Sequence, residues 1–355
     1  MKHLKTYRYN KTIRFWLTLG LIMLIGQVIL GGITRLTGSG LSITKWDIIT
    51  GIIPPFGKEQ WNEVFELYKQ TPQFHKINSE FTLKNFKTIY FWEYFHRLWV
   101  RLLGVIFLIP FIFFTIKKKI DWYLIKRLIV VVILAALTAS AGWIMVLSGM
   151  VDRPWVNAYK LTLHFMLAIL TIAALVKTIA DVYYFENKSN ADQSRFTLFL
   201  LIITFIQLIF AGLMAGMRAA LYYPTWPSMN GVVFPEVLKN SANWTLHNLT
   251  NYDSFEFAPA LIQFSHRFIA YVILGLTMFY YFNKRNKTYT RAIKWLTFTY
   301  TLALFQIFLG ILTLIKSKTG IPMLYAVLHQ ITGLLFFISL LFLHLSLRRR
   351  KIKQA

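Results

Sequence analysis

No cysteine occurs anywhere in this chain. Its absence excludes disulfides, thiolate-ligated haem and iron–sulfur clusters held by cysteine. Charge is scarce too, at 15% of 355 residues, and acidic residues are scarcest, 14 Asp and Glu against 39 Lys and Arg. With 56% of residues hydrophobic, the chain is too apolar for a soluble domain. A net charge of +25 would point to nucleic acid in a soluble protein. Its placement here points to a membrane instead, and no nucleic-acid partner is expected.

Apolar runs near twenty residues recur, the length that crosses about 30 Å of hydrocarbon at about 1.5 Å per residue. Eight spans are predicted, at 13–33, 90–116, 124–147, 159–180, 196–217, 259–282, 292–315 and 322–346. They must be helices, because an open sheet leaves backbone groups unpaired in lipid. Basic residues gather in alternate connections: Lys117, Lys118, Lys119, Lys126 and Arg127, then Lys284, Arg285, Lys287, Arg291 and Lys294, then 348–351. Lys2, Lys5, Arg8, Lys11 and Arg14 join them at the N-terminus. The positive-inside rule places these segments and both termini in the cytoplasm, and the connections 34–88 and 218–258 outside. The N-terminus shows neither a cleavable signal pattern nor a transit-type extension, so the first run is read as a retained span in a bacterial inner membrane. Within the first long connection, Trp61, Val64, Phe65 and Tyr68 recur at helical spacing. Residues 59–70 are therefore expected to form an interfacial amphipathic helix capping a site that opens outward.

The two halves echo one another. Gln27, Gly31, Gly32, Arg35, Trp46, Gly51, Pro54 and Pro55 are answered in order by Gln207, Gly212, Gly216, Arg218, Trp226, Gly231 and Pro235. The expected fold is an all-α integral membrane protein with two pseudo-symmetric four-helix bundles. The first covers 1–185 with the external loop 34–88, and the second covers 186–355. Four spans restore the original direction, so their axis runs along the membrane normal. Gly31, Gly32, Gly212, Gly216, Gly310 and Gly333 are expected at close helix contacts.

Four histidines carry the chemistry. His96, His164, His266 and His329 lie in spans two, four, six and eight, each about five to seven residues from the outer boundary, or about 7–11 Å deep at helical rise. An ionisable residue inside a bilayer is costly and usually functional, and neutral imidazole is a good iron ligand. The pattern points to two iron porphyrins, one between His96 and His164 and one between His266 and His329. A small residue follows one turn inward at Ala168, Ala270 and Gly333, which would leave room for a flat ring, whereas Val100 departs from the pattern. Arg97 and Arg267 follow their histidines and are candidate contacts for haem propionates. Glu93 precedes His96 by three residues on the same helix face, and Gln263 stands at the matching place. A proton-active carboxylate at one site and an amide at the other suggest chemistry in the first bundle and a permanent cofactor in the second. His3, His75, His247 and His344 have no matching partners. From these residues alone an enzyme acting on haem, a bis-histidine dihaem b electron-transfer cytochrome and a repeat-built transporter all remain open.

The residues also resemble a known family. Gly31-Gly32-Ile33-Thr34-Arg35 running on to Gly40-Leu41-Ser42, then Trp46, 51–55, and Phe91-Trp92-Glu93-Tyr94-Phe95-His96-Arg97 are similar to haem A synthases. In the second half Ala211-Gly212-Leu213, Arg218-Ala219, Thr225-Trp226-Pro227, Phe264-Ser265-His266-Arg267 and Leu328-His329-Gln330 extend the resemblance over nearly the whole chain. The missing loop cysteines match the alphaproteobacterial and mitochondrial branch. The resemblance implies an oxidoreductase that converts the C8 methyl group of haem O, through hydroxymethyl and gem-diol stages, to the formyl group of haem A for cytochrome c oxidase. It implies a resident haem b on His266 and His329, the substrate iron on His96 and His164, and a reacting role for Glu93. Expected partners are haem O, membrane lipid, haem O synthase (the protohaem farnesyltransferase), cytochrome oxidase assembly factors and further copies of the chain.

Overall fold

Long apolar runs closed by polar caps become helices. In the computed structural model, residues 9–44, 53–150, 153–183, 191–288 and 290–348 are described. Trp46, Gly51, Ile52, His3, the basic residues Lys2, Lys5 and Arg8, and 349–351 lie outside them. The helices are α1 (Lys11–Leu36), α2 (Gly57–Lys69), α3 (Pro72–Ile77), α4 (Leu83–Ile116), α5 (Trp122–Leu147), α6 (Ala158–Val182) and α7 (Ala191–Gly216). There follow the short α8 (Glu236–Lys239) and α9 (Leu246–Thr250), then α10 (Phe257–Lys284), α11 (Thr290–Ile315) and α12 (Met323–Leu347). Among the described residues no strand forms beyond an isolated bridge between Met229 and Val232.

Eight of these helices, α1, α4, α5, α6, α7, α10, α11 and α12, are long and apolar enough to cross a membrane. They fall on the eight predicted spans. Their outer faces carry exposed Ile109, Ile112 and Ile116 on α4, Leu163 on α6 and Phe268 on α10. Such faces are costly against water and are matched by hydrocarbon. The largest displacement from expectation is at α4, which begins at Leu83 rather than residue 90. Thr82 starts it: its hydroxyl accepts from the Asn85 backbone N–H, while the Asn85 side chain accepts from the Thr82 N–H. That cap adds two turns beyond the apolar run.

The chain divides into two units. The first is Thr18–Ile172, and the second is Ala173–Ala355 with Met1–Leu17. Both cuts fall inside helices, α1 and α6, and neither falls at residue 185. In the second unit α11 packs on α12, α10 on α7 and α11, and α12 on α7. In the first unit α2 does form over the expected amphipathic stretch. Its apolar face is covered by protein: Phe65 and Tyr68 of α2 close a cluster with Phe86, Ile89 and Tyr90 on the added turns of α4.

Candidate functional site

In the first unit, His96 sits on α4 and His164 on α6. Nδ1–H of His164 donates to the Thr138 carbonyl on α5 at 2.8 Å, which leaves Nε2 with its lone pair for a ligand. Gly142, one turn along α5, makes this possible: a Cβ there would stand 2.9 Å from Cε1 of His164. Gly31 of α1 backs His96, where a Cβ would meet Nε2 at 3.3 Å. The Gln27 amide donates to the His96 carbonyl at 3.3 Å.

The second unit repeats these contacts. Nδ1–H of His329 on α12 donates to the Gln306 carbonyl on α11 at 3.1 Å. Gly310 lies one turn along α11, and a Cβ there would reach 2.9 Å from Cε1 of His329. Gln207 of α7 donates to the His266 carbonyl at 2.9 Å, and the same Nε2 lies 3.1 Å from Nδ1 of His266. One expectation changes here. The space beside Gly333 is filled by Gln306, whose Nε2 would lie 2.9 Å from an added Cβ. Gly333 thus admits a glutamine side chain rather than standing open for a flat ring.

The His266 and His329 ring centres lie 6.4 Å apart, edge to plane at 69°, and the Gln306 amide lies 3.3 Å from Nε2 of His329. Two imidazoles on opposite sides of one metal, with bonds of about 2.0–2.1 Å and ring centres about 1.2 Å behind their nitrogens, have centres roughly 6.3–6.6 Å apart. The observed spacing fits bis-histidine ligation of a haem iron. Oε1 of Gln207 is buried without a partner.

Arg97 and Arg267 are turned toward protein. Arg97 donates to Glu93 at 2.6 Å and to the Ile43 carbonyl at 3.1 Å. Arg267 donates to the Tyr223 carbonyl at 2.8 Å and the Ser228 carbonyl at 3.2 Å. Glu93 is buried at 2% exposure. Its Oε2 accepts from Ser42 N–H at 2.7 Å, Ser42 O–H at 2.7 Å and Ile43 N–H at 2.9 Å. At the matching place Gln263 is wholly buried and donates to the Tyr223 carbonyl at 2.9 Å.

Residues that sequence reasoning passed over are Thr138, Gly142 and Ser42. The first two carry one faint signal, a four-residue spacing repeated by Gln306 and Gly310. The other histidines lie apart: His75 is on α3, His247 contacts Asn251, and His344 is buried against Thr197. Among the described residues no cluster of three or more His, Asp and Glu could hold a bare metal ion.

Residues 14–341 match the family described as cytochrome oxidase assembly protein. "Heme A synthase" of Flavobacterium psychrophilum is 36% identical over 330 residues, covering 90% of this chain and 94% of the relative. "Heme A synthase" of Nitrosospira multiformis is 36% identical over 351 residues, with 97% and 96% coverage. "Heme A synthase" of Pelagibacter ubique is 35% identical over 331 residues, with 93% and 95% coverage.

Proposed function

The chain belongs to the haem A synthase family of cytochrome oxidase assembly proteins, and from that premise we propose that it oxidises the C8 methyl group of haem O to the formyl group of haem A. Written with water as the oxygen source, each of two successive oxidations consumes one water, replaces a C–H bond with C–OH, and releases two protons and two electrons to an external one-electron acceptor. Loss of water from the resulting gem-diol leaves the formyl carbon.

The observation that carries the reading is the His266–His329 pair, its ring centres 6.4 Å apart inside one unit. These residues would hold a resident haem b, which when bound supplies a one-electron relay. The Gln306 carbonyl orients His329, and Gly310 gives its ring room against α11. Gln207 orients His266 from α7. In the first unit His96 and His164 would take the iron of haem O, His164 being aimed by the Thr138 carbonyl beside Gly142. Glu93, one turn from His96, acts at this first site. Arg97 holds the Ile43 carbonyl and Arg267 those of Tyr223 and Ser228, and both would contact the haem propionates beside their histidines.

The repeated contacts support two four-helix bundles related by a pseudo-twofold along the membrane normal. The basic connections support cytoplasmic termini, an inner-membrane location and haem sites near the outer surface. Haem O synthase as donor, an oxidase assembly factor as acceptor, and self-association complete the proposal.

Purified protein, expressed with and without haem O supply, tests it. Pigments extracted and resolved by mass spectrometry should contain haem b together with haem O, its hydroxymethyl derivative or haem A. Two unmodified b haems under both conditions would make this an electron-transfer cytochrome. Release of haem O unchanged would make it a carrier.

A further inference from the structure

The acid of the first site is occupied. Glu93 Oε2 accepts three hydrogen bonds from Ser42 and Ile43, and Oε1 takes the Arg97 guanidinium. Oε2 therefore has no lone pair to spare, and Oε1 faces the Arg97 cation. A proton on Oε2 would displace a donor in a buried site, where an unpaired donor is costly, and one on Oε1 would cost the pairing with Arg97.

Those donors belong to a segment that ties several elements together. Ser39, Leu41 and Ser42 are buried. The Gly38 carbonyl accepts from the Gln73 side chain of the α3 helix at 2.8 Å. Leu41 presses on Gly149 just beyond α5, where a Cβ would come within 2.8 Å of it. Ser39 N–H donates back to Thr34 at 2.9 Å, and the Thr34 hydroxyl reaches the Trp92 carbonyl of α4 at 3.4 Å. Residues 38–43 thus fix α1, which bears Gly31, against α4, which bears His96. The second unit has a seat of the same kind with no acid, made by Gln263 and Arg267 on Tyr223 and Ser228.

We infer that Glu93 is a positioning residue: with Arg97 it seats the segment 38–43 through Ser42 and Ile43, and the oxidation depends on that seat rather than on proton transfer to the carboxylate. Ser42 becomes a functional residue of the first site by the same argument. The inference rests on the haem A synthase reading for its activity readout, but not for its structural one.

The test uses full-length Glu93→Gln, Glu93→Ala and Ser42→Ala in membranes supplied with haem O. Three quantities are read: the haem A to haem O ratio across pH, the split between kcat and KM, and hydrogen exchange over 38–44. Gln keeps an oxygen where Oε2 stands but loses the charge facing Arg97, so E93Q should lower turnover by about ten- to a hundredfold, the worth of one charge-assisted hydrogen bond, and keep the wild-type pH profile. E93A should lose the seat and turnover together. S42A should lower turnover and speed exchange over 38–44 with Glu93 intact. Abolished turnover in E93Q with unaltered exchange would make Glu93 the proton acceptor and overturn the inference, as would S42A matching wild type in both. Should E93Q fail to accumulate, S42A decides alone. Wild type that makes no haem A would sink the functional reading, while the exchange data would still judge the seat.

Discussion

In the first unit the residue one turn before the histidine of α4 is Glu93, and in the second the residue one turn before the histidine of α10 is Gln263. Around both, the remaining parts recur: an arginine four residues on, a glutamine from the preceding spanning helix on the histidine carbonyl, and a carbonyl–glycine groove for the partner histidine. The difference lies in what each side chain grips. Glu93 accepts from backbone and hydroxyl donors, whereas Gln263 donates to one carbonyl. A carboxylate can draw several N–H groups inward and needs a cation to sit buried, which Arg97 supplies. An amide needs none, so Arg267 is left to brace the second loop through carbonyls. The same scaffold thereby holds its first loop through a carboxylate–guanidinium pair and its second through an amide and a guanidinium on backbone carbonyls.

Removing histidines separates the units most strongly. His266→Leu or His329→Leu should cut the low-spin haem b signal of purified protein to below about a tenth, since even outer-shell changes at metal sites cost about 10–100-fold. His96→Leu and His164→Leu should keep that signal and lose retained haem O instead. Optical and pigment assays check both. If all four variants lose the same pigment, the division of labour between the units is wrong.

The glycine grooves come next. Gly310→Ala pushes a methyl to 2.9 Å from the His329 ring, and Gly142→Ala does the same to His164. Such overpacking costs about 1–3 kcal/mol, so resident haem should fall about tenfold in the first variant and haem O retention in the second. Gly104→Ala and Gly275→Ala, with open space around them, should leave both pigments at wild-type levels. Equal losses in all four would reduce the grooves to ordinary helix packing.

Much of this was legible before any coordinates. Eight spans follow from hydrophobic length, and the four histidines stand out because they recur at matched depth in spans two, four, six and eight. The motif around Glu93 and His96 reached the family. What sequence hides are partners across distance. Ser42 and Glu93 lie 51 residues apart and meet only because α1 and α4 pack. Gly142 sits in an apolar run where glycine reads as helix packing, and its task appears only when the His164 ring lies on it. The first turns of α4 are polar at Lys84, Asn85 and Lys87, so hydropathy stopped short, although the Thr82 and Asn85 cap was written there. The place of Arg97 and Arg267 beside histidines does not show that they also bond the loop carbonyls of Ile43, Tyr223 and Ser228.

A smaller effect sharpens the contrast between the two seats. Glu93→Leu would leave Arg97 buried without its carboxylate and three donors without an acceptor, a change worth about 3–5 kcal/mol. Gln263→Leu removes one donor from a carbonyl that Arg267 still holds, worth about 1 kcal/mol. The midpoint of thermal unfolding in detergent should therefore drop several times further in the first variant. Equal drops would mean that charge adds nothing to the first seat.

The smallest effect belongs to the second loop. Tyr223 is buried, and its hydroxyl donates to Glu256 at 3.1 Å. Burial first, then the charge of Glu256 and the bond to it, push the phenol up to about 12. An unfolded tyrosine ionises near about 10. Below that pH both states hold the proton and the contribution is fully present. Between about 10 and 12 the folded loop keeps a proton that the unfolded chain has released, so stability falls as pH rises. Tyr223→Phe should flatten that alkaline decline in exchange over 219–232, at the cost of about 1 kcal/mol near neutrality from the lost bond to Glu256. The segment 38–43, which Glu93 holds without a phenol, should keep its exchange rate in the variant. Alkaline loosening of 38–43 that tracked the Tyr223 substitution would show that the two loops respond together, and the contrast drawn from Glu93 and Gln263 would no longer separate them.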